Sequence, residues 1–368
     1  MDGAFNLNIN FHRMKKMLQK SLFLSFAFVS AACLLFAGNP DRQGEAGASE
    51  LMMNPWARSA GLHSMTTSMV SGVEAMRINP AGIVRIDGSQ ALVGHARYLG
   101  STGISMNAVG LSLGMGESGA LGISIMSLDF GDIDVTTTAQ PEGTGATYSP
   151  TFFNVGISYA HMFENNISVG MLFRAINQSI ADVSSFGFAL DAGIQYVSGP
   201  QDNFKFGISL RNIGGPMSFS GEGLTFRQRN PNSDDFDFEL RFSHRTASFE
   251  MPSLLHIGLS YDFYAGFGDR YRLTPVVNFT ANSFSRDHLG GGLEFGFFDI
   301  IEIRGGYRYE MGAGSALEDK EVYTGLAMGF SLNLNFREDS NTGLFIDYAY
   351  RDTNPFDGTH NFSLGINF

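Results

Sequence analysis

The sequence predicts an all-β fold: a transmembrane antiparallel β-barrel of about 14 strands with an N-terminal hatch or plug segment in its lumen. Three observations carry that prediction. From about residue 88 to the end, apolar side chains recur at every second position in segments of about 9 to 15 residues, the period of a strand with one apolar face. These segments are about twice as long as the ~5–6 residues usual in soluble sheets, and they match the ~9–11 residues a tilted strand needs to cross a bilayer. Their connections are short at one end of the strands and long at the other, the asymmetry of bacterial outer-membrane barrels.

Composition narrows the classes. The chain has 368 residues, 24 Lys plus Arg against 36 Asp plus Glu and a net charge of −12, with no basic cluster beyond its extreme N-terminus. That excludes the electrostatic footprint of nucleic-acid binding. Only 16% of residues are charged and 43% are hydrophobic, too apolar for disorder. Mean hydropathy is −0.01 with a single long apolar run, which excludes a bundle of membrane helices.

The first element is the N-terminal segment 1–37. Lys15, Lys16 and Lys20 precede the apolar run from Ser21 to about Ala37, closed by a small residue and followed by Asn39, Asp41 and Arg42. This reads as a cleaved secretory signal peptide with a start at Met14; an uncleaved membrane anchor is the alternative. The only cysteine, Cys33, lies inside it, so a chain cut after Ala37 has no disulfide, thiol nucleophile or thiolate metal ligand. Ser30-Ala31-Ala32-Cys33 is a poor lipoprotein site, because the apolar run continues past the cysteine.

Residues 38–88 alternate little and carry Leu51, Met52, Met53, Trp56, Leu62, Met65, Met69 and Met76. Met fills irregular gaps, so this segment reads as the plug, with a periplasmic arm as the alternative. The barrel, 89–368, reads as strands near 89–98, 104–115, 120–130, 151–163, 166–179, 185–197, 203–213, 252–264, 270–281, 287–297, 300–310, 321–336, 342–351 and 359–368. In the fifth, Ile167, Val169, Met171 and Phe173 face out while Ser168, Gly170, Leu172 and Arg174 face in. The long connections, 131–150 and 214–250, then fall together on the outer side. Many inward positions are Gly, Ser or Ala, too small to fill a fourteen-strand lumen, which is why something else must occupy it. Inward charges at Arg174, Arg211, Asp262, Glu302, Arg304, Arg308 and Asp347 are expected to pair there and pin the plug. The last strand places Phe362, Leu364, Ile366 and Phe368 on one face and ends on an aromatic, the form of the C-terminal insertion signal of outer-membrane barrels.

Asn79-Pro80-Ala81-Gly82 makes a rigid turn, since Pro fixes φ and Asn bonds nearby backbone. It resembles the Asn-Pro-Ala motif at the hatch of FadL-like channels for hydrophobic compounds. Gly187-Phe188-Ala189-Leu190-Asp191-Ala192-Gly193 and Leu210-Arg211-Asn212-Ile213-Gly214-Gly215-Pro216-Met217 resemble the PorV/PorQ family of Bacteroidota, a FadL-like branch associated with type IX secretion. The resemblance covers most of the chain from about residue 48. It implies an outer-membrane protein, surrounded by lipid, that binds secreted cargo proteins or type IX components and helps deliver them to the surface. The alternative it leaves open is a passive channel with a hydrophobic small molecule in the lumen.

Several motifs are refused. Gly114-Met115-Gly116-Glu117-Ser118-Gly119 fits a dinucleotide fingerprint but precedes a strand, not a helix. Gly110-Leu111-Ser112-Leu113-Gly114 fits a nucleophile elbow but lies within a strand. His360 and Asn361 are the adjacent candidates for a barrel lipid hydrolase, and the run Asp234, Asp235, Asp237, Glu239 for calcium. The acidic run reads better as solvated loop. No enzyme, catalytic residue, cofactor or metal is expected.

Overall fold

The computed structural model describes residues 38–163, 166–229, 239–265, 270–298, 300–312, 321–337 and 340–368. The expected signal segment 1–37, with Met14 and Cys33, lies outside them, as do Asp234, Asp235 and Asp237.

Alternation builds the wall. Its strands are β1 (Ser89–Arg97), β2 (Ser105–Met115), β3 (Gly119–Asp129), β4 (Thr151–Phe163), β5 (Ile167–Ile180), β6 (Val183–Ser198) and β7 (Phe204–Gly214). They continue with β8 (Leu254–Tyr261), β9 (Tyr271–Asn282), β10 (His288–Phe297), β11 (Ile301–Glu310), β12 (Tyr323–Arg337), β13 (Ser340–Thr353) and β14 (Thr359–Asn367). Each pairs antiparallel with the next, and β1 pairs with β14, Val93 opposite Leu364, so the sheet closes without an edge. The boundaries sit within a few residues of those read from the sequence. The strand β8 runs on past Tyr261 as Phe263–Ala265 in the same register against β9, with Asp262 between them on the inward phase and paired with Lys205 at 2.6 Å.

The outer face shows what the wall is for. Ile157, Met171, Ile303 and Leu364 are 50–57% exposed, and comparable apolar residues cover every strand between them. A soluble protein rarely exposes more than a few hundred Å² of contiguous apolar surface, so this belt faces lipid. Phe163, Phe204, Tyr261, Tyr271, Phe298, Phe336 and Phe368 ring the end where both ends of the wall emerge, an interfacial aromatic girdle. Phe362, Leu364, Ile366 and Phe368 all lie on the outer face. No described helix is long and apolar enough to cross a membrane; the crossing is made by strands.

The core lies inside the barrel. Trp56, Val73, Met76, Ile78 and Ile83 of the N-terminal segment pack against Leu92, Met106, Leu128, Phe152, Leu172 and Ile176 of the wall. The segment is a chain of short turns, with helices at Ala57–Ala60 and Ala75–Ile78 and a tighter 3₁₀ turn at Pro80–Val84.

Candidate functional site

The site is the plug and its seat, and the seat is made of glycine. The plug starts near the long-loop end, where Asn39 N–H donates to Asn282 O at 3.4 Å and Gly47 N–H to Glu250 O at 3.0 Å. It leaves at the other end, where Gly88, with φ +85°, leads into β1 and Ser89 N–H donates to Phe368 O at 2.8 Å. Between those points plug side chains and backbone press into lumen-facing glycines around the wall.

The Asn79-Pro80-Ala81-Gly82 turn shows how. Asn79 Oδ1 accepts from Ala81 N–H at 3.2 Å and its Nδ2 donates to Thr67 O at 2.9 Å and Ile194 O at 3.1 Å. Ser209 Oγ donates to Ile78 O at 2.6 Å. Gly170 of β5 and Gly193 of β6 are cross-strand partners that form one notch beneath the turn. A Cβ on Gly193 would lie 1.9 Å from Asn79 Oδ1, and one on Gly170 would lie 2.4 Å from Pro80 backbone. Gly207 and Gly258, likewise paired across β7 and β8, receive Thr67 and Ser68, and Ser68 Oγ donates to Ser260 Oγ at 2.9 Å. Leu62 and Met65 fill the notch of Gly292 and Gly306, and Met76 fills that of Gly122. Met52 is the exception to the Met-filled lumen, lying 41% exposed.

Charged groups fix both ends of the plug. Toward the end with the aromatic girdle, Arg58 donates to Glu302 at 2.7 Å and lies 3.7 Å from Asp347. Glu302 also accepts from Arg304 at 2.6 Å and Arg272 at 3.0 Å, and Glu294 accepts from both guanidiniums. Glu74 takes the N–H groups of Arg58 and Ser59, the start of helix Ala57–Ala60, at 3.2 and 3.0 Å. Burial, with Asp347 nearby, pushes the Glu74 carboxyl up to about 7 against these bonds. Toward the long-loop end, Arg77 staples the plug to itself through Glu50 O, Leu51 O and Met53 O at 2.7–3.0 Å. Arg211 donates to Leu51 O at 3.3 Å.

Of the seven lumen charges named from the sequence, Glu302, Asp347 and Arg211 reach the plug. Arg174 pairs within the wall with Asp191 at 2.6 Å, Asp262 with Lys205 and Arg304 with Glu294, while Arg308 pairs with Glu321 of the β11–β12 connection at 2.5 Å. Asp191 sits at a β-bulge where one residue of β6 faces two of β7, Arg211 and Asn212, and it accepts from Asn212 N–H at 2.7 Å. Sequence reasoning missed the roles of Arg58, Glu74 and the notch glycines. Among the nine charged residues of 38–88 nothing in the sequence sets Arg58 and Glu74 apart; the glycines were signalled by their inward phase of the alternation.

The refused motifs are structural. Gly114 to Gly119 is the β2–β3 hairpin, and Ser112 faces Ile83 of the plug. His360 Nδ1 shares a hydrogen bond with Tyr348 Oη at 2.9 Å, while Asn361 donates to Asn54 O and Pro55 O at 3.0 Å. Among the described residues no three His, Cys, Asp or Glu gather as metal ligands.

No family model matches the chain, and no curated protein matches it in sequence. Solved structures do match in fold. The CymD monoaromatic hydrocarbon channel aligns at TM-score 0.53 and 15% identity over 86% of this chain and 98% of its own. A Pseudomonas aeruginosa FadL homologue aligns at 0.51 and 14% identity over 86% and 98%. The fold is that of the FadL-like channels. The Pseudomonas putida toluene transporter TodX aligns at 0.50 and 11% identity over 89% and 98%. Two of these neighbours are by name a hydrocarbon channel and a toluene transporter.

Proposed function

We propose that the chain is an outer-membrane channel of FadL-like build that lets a small hydrophobic compound pass, with residues 38–88 as its gate. The observation that carries this reading is the manner of closure. A separate segment fills the lumen and is held by packing into glycine notches, side-chain hydrogen bonds and a few ion pairs, none of them part of the strand ladder, so it can shift without breaking the wall. The Asn79-Pro80-Ala81-Gly82 turn is the latch, and Glu302, Asp347 and Arg211 hold the ends. A shift of the plug would uncover glycine and apolar wall, including Leu172, Ile176 and Phe152, a surface suited to an uncharged guest. The compounds named for the fold neighbours, toluene and other monoaromatic hydrocarbons, are the first to test.

In this reading residues 1–37 direct export and are removed, and Phe362, Leu364, Ile366 and Phe368 direct insertion. Delivery of secreted cargo, which the PorV/PorQ resemblance implies, draws on residues 187–193 and 210–217. Those residues have structural duties: Gly187 makes room for Met217, Gly193 for Asn79, and Asp191 meets the bulge. The hydrophobic-compound reading therefore stands ahead of cargo delivery.

The test is uptake of radiolabelled toluene by whole Gram-negative cells, whose lipopolysaccharide slows its unaided entry. Expression of the chain should raise the initial rate above that of cells with an empty vector. An unchanged rate would refute the reading.

A further inference from the structure

A cavity of about 220 Å³ lies below the plug at the girdle end of the lumen. Arg58, Glu74 and Glu302 contribute charge to its lining, and Leu92 and Phe345 an apolar wall. Its lining strands contribute their residues nearest the girdle, such as Gln90 of β1. Arg58 keeps 37% of its side chain exposed there, so solvent reaches the cavity.

The charges around it do not balance. Arg58 is taken by Glu302 and Asp347, while Lys205, Arg272 and Arg304 are taken by Asp262, Glu294 and Glu302. Glu74 is left. It is 5% exposed, and among the described residues its carboxylate meets backbone N–H groups and no Lys or Arg side chain within ion-pair distance. Behind Arg58, the fully buried Asp347 has an Oδ2 with no partner among the described residues. A buried carboxylate without a counter-charge favours a cation beside it.

Size sets the rest of the guest. An apolar cavity of ~150 Å³ takes up benzene, so this one has room for one aromatic ring and a short polar arm. We propose that the cavity is a binding site for a small arylalkylamine, its ammonium on Glu74 and its ring against Leu92 and Phe345. Binding here needs no movement of the plug and is independent of what crosses the lumen.

The test is isothermal titration of the detergent-solubilised full chain with three probes of similar shape: benzylamine, benzyl alcohol and benzoate. Trp56, the only tryptophan of the chain and two residues from Arg58, gives a second readout by fluorescence. Benzylamine should bind at about 0.1–1 mM and at least ~10-fold more tightly than benzyl alcohol, with benzoate weakest. Glu74→Gln should bring benzylamine to the level of the alcohol and leave the alcohol unchanged. The wild-type series decides the matter even if that variant does not fold. Equal binding of amine and alcohol, or no saturable response to benzylamine up to about 10 mM, overturns the proposal.

Discussion

Gly193→Ala is the smallest change that tests whether the Asn79 turn latches the plug. The new Cβ would stand 1.9 Å from Asn79 Oδ1 and 3.1 Å from Pro80 Cδ, with the β6 backbone fixed by pairing on both sides. Contact between carbon and oxygen needs more than 3 Å, so the Asn79 side chain must retreat by about 1 Å or more. That retreat strains its hydrogen bonds to Thr67 O, Ile194 O and Ala81 N–H, at 2.9, 3.1 and 3.2 Å. At ~1 kcal/mol for each of two or three bonds, the seated plug loses about 2–3 kcal/mol, a shift of roughly 30–150-fold toward the unseated state. Single-channel recording in planar bilayers reads that shift as open probability. Gly305→Ala is the control, since its Cβ would meet nothing nearer than 3.7 Å. The clash is with the Asn79 side chain, Oδ1 above all, so Gly193→Ala should cost much less on an Asn79→Ala background. Open probability in Gly193→Ala equal to that of wild type and Gly305→Ala would refute the reasoning.

Three further perturbations follow from the same geometry. Arg58→Ala leaves Asp347 without its cation and frees helix Ala57–Ala60; with the arginine 37% exposed, the loss should be about 1–2 kcal/mol, seen as a red shift of Trp56 emission at lower denaturant. Glu74 is held at about 7 in the folded chain against an ordinary 4.5, so its contribution to plug seating is fully present below about pH 4.5 and is lost as pH rises through 7, by up to about 3 kcal/mol. The protection factors of residues 57–61, exchange rates corrected for the intrinsic pH dependence, should therefore fall across that window in wild type and stay flat in Glu74→Gln. Ile157→Arg, at the middle of β4 on the lipid face, should destabilise the inserted barrel by about 2–4 kcal/mol in a reversible folding titration into liposomes, while Ser158→Ala beside it should cost at most about 1–2 kcal/mol.

The wall was legible because lipid and lumen impose opposite chemistry on neighbouring residues. Leu326, Met328 and Phe330 against Gly325, Ala327 and Gly329 leave no other reading of β12. The pairing of Asp262 was not legible, because nothing near it in sequence announces Lys205 fifty-seven positions away. The plug was legible as a need, from a lumen lined with residues too small to fill it, but its path was not. Gly170 and Gly193 look like any inward glycines until the β5–β6 register sets them opposite each other and Asn79 above both. Glu74 is likewise an ordinary acid in the sequence. Its isolation follows only once Arg58, Arg272 and Arg304 are seen to be engaged by other carboxylates.

The central claim is that the plug must move for a hydrophobic compound to cross. Ser68 and Ser260 meet at 2.9 Å between hydroxyl oxygens, so Ser68→Cys with Ser260→Cys, on a Cys33→Ser background, should form a disulfide that ties plug to wall. The measurement is toluene uptake by whole cells carrying this variant, oxidised and then reduced. The account predicts that uptake falls to the empty-vector rate on oxidation and returns to the wild-type rate on reduction. Uptake at the wild-type rate with the disulfide quantitatively formed would contradict it.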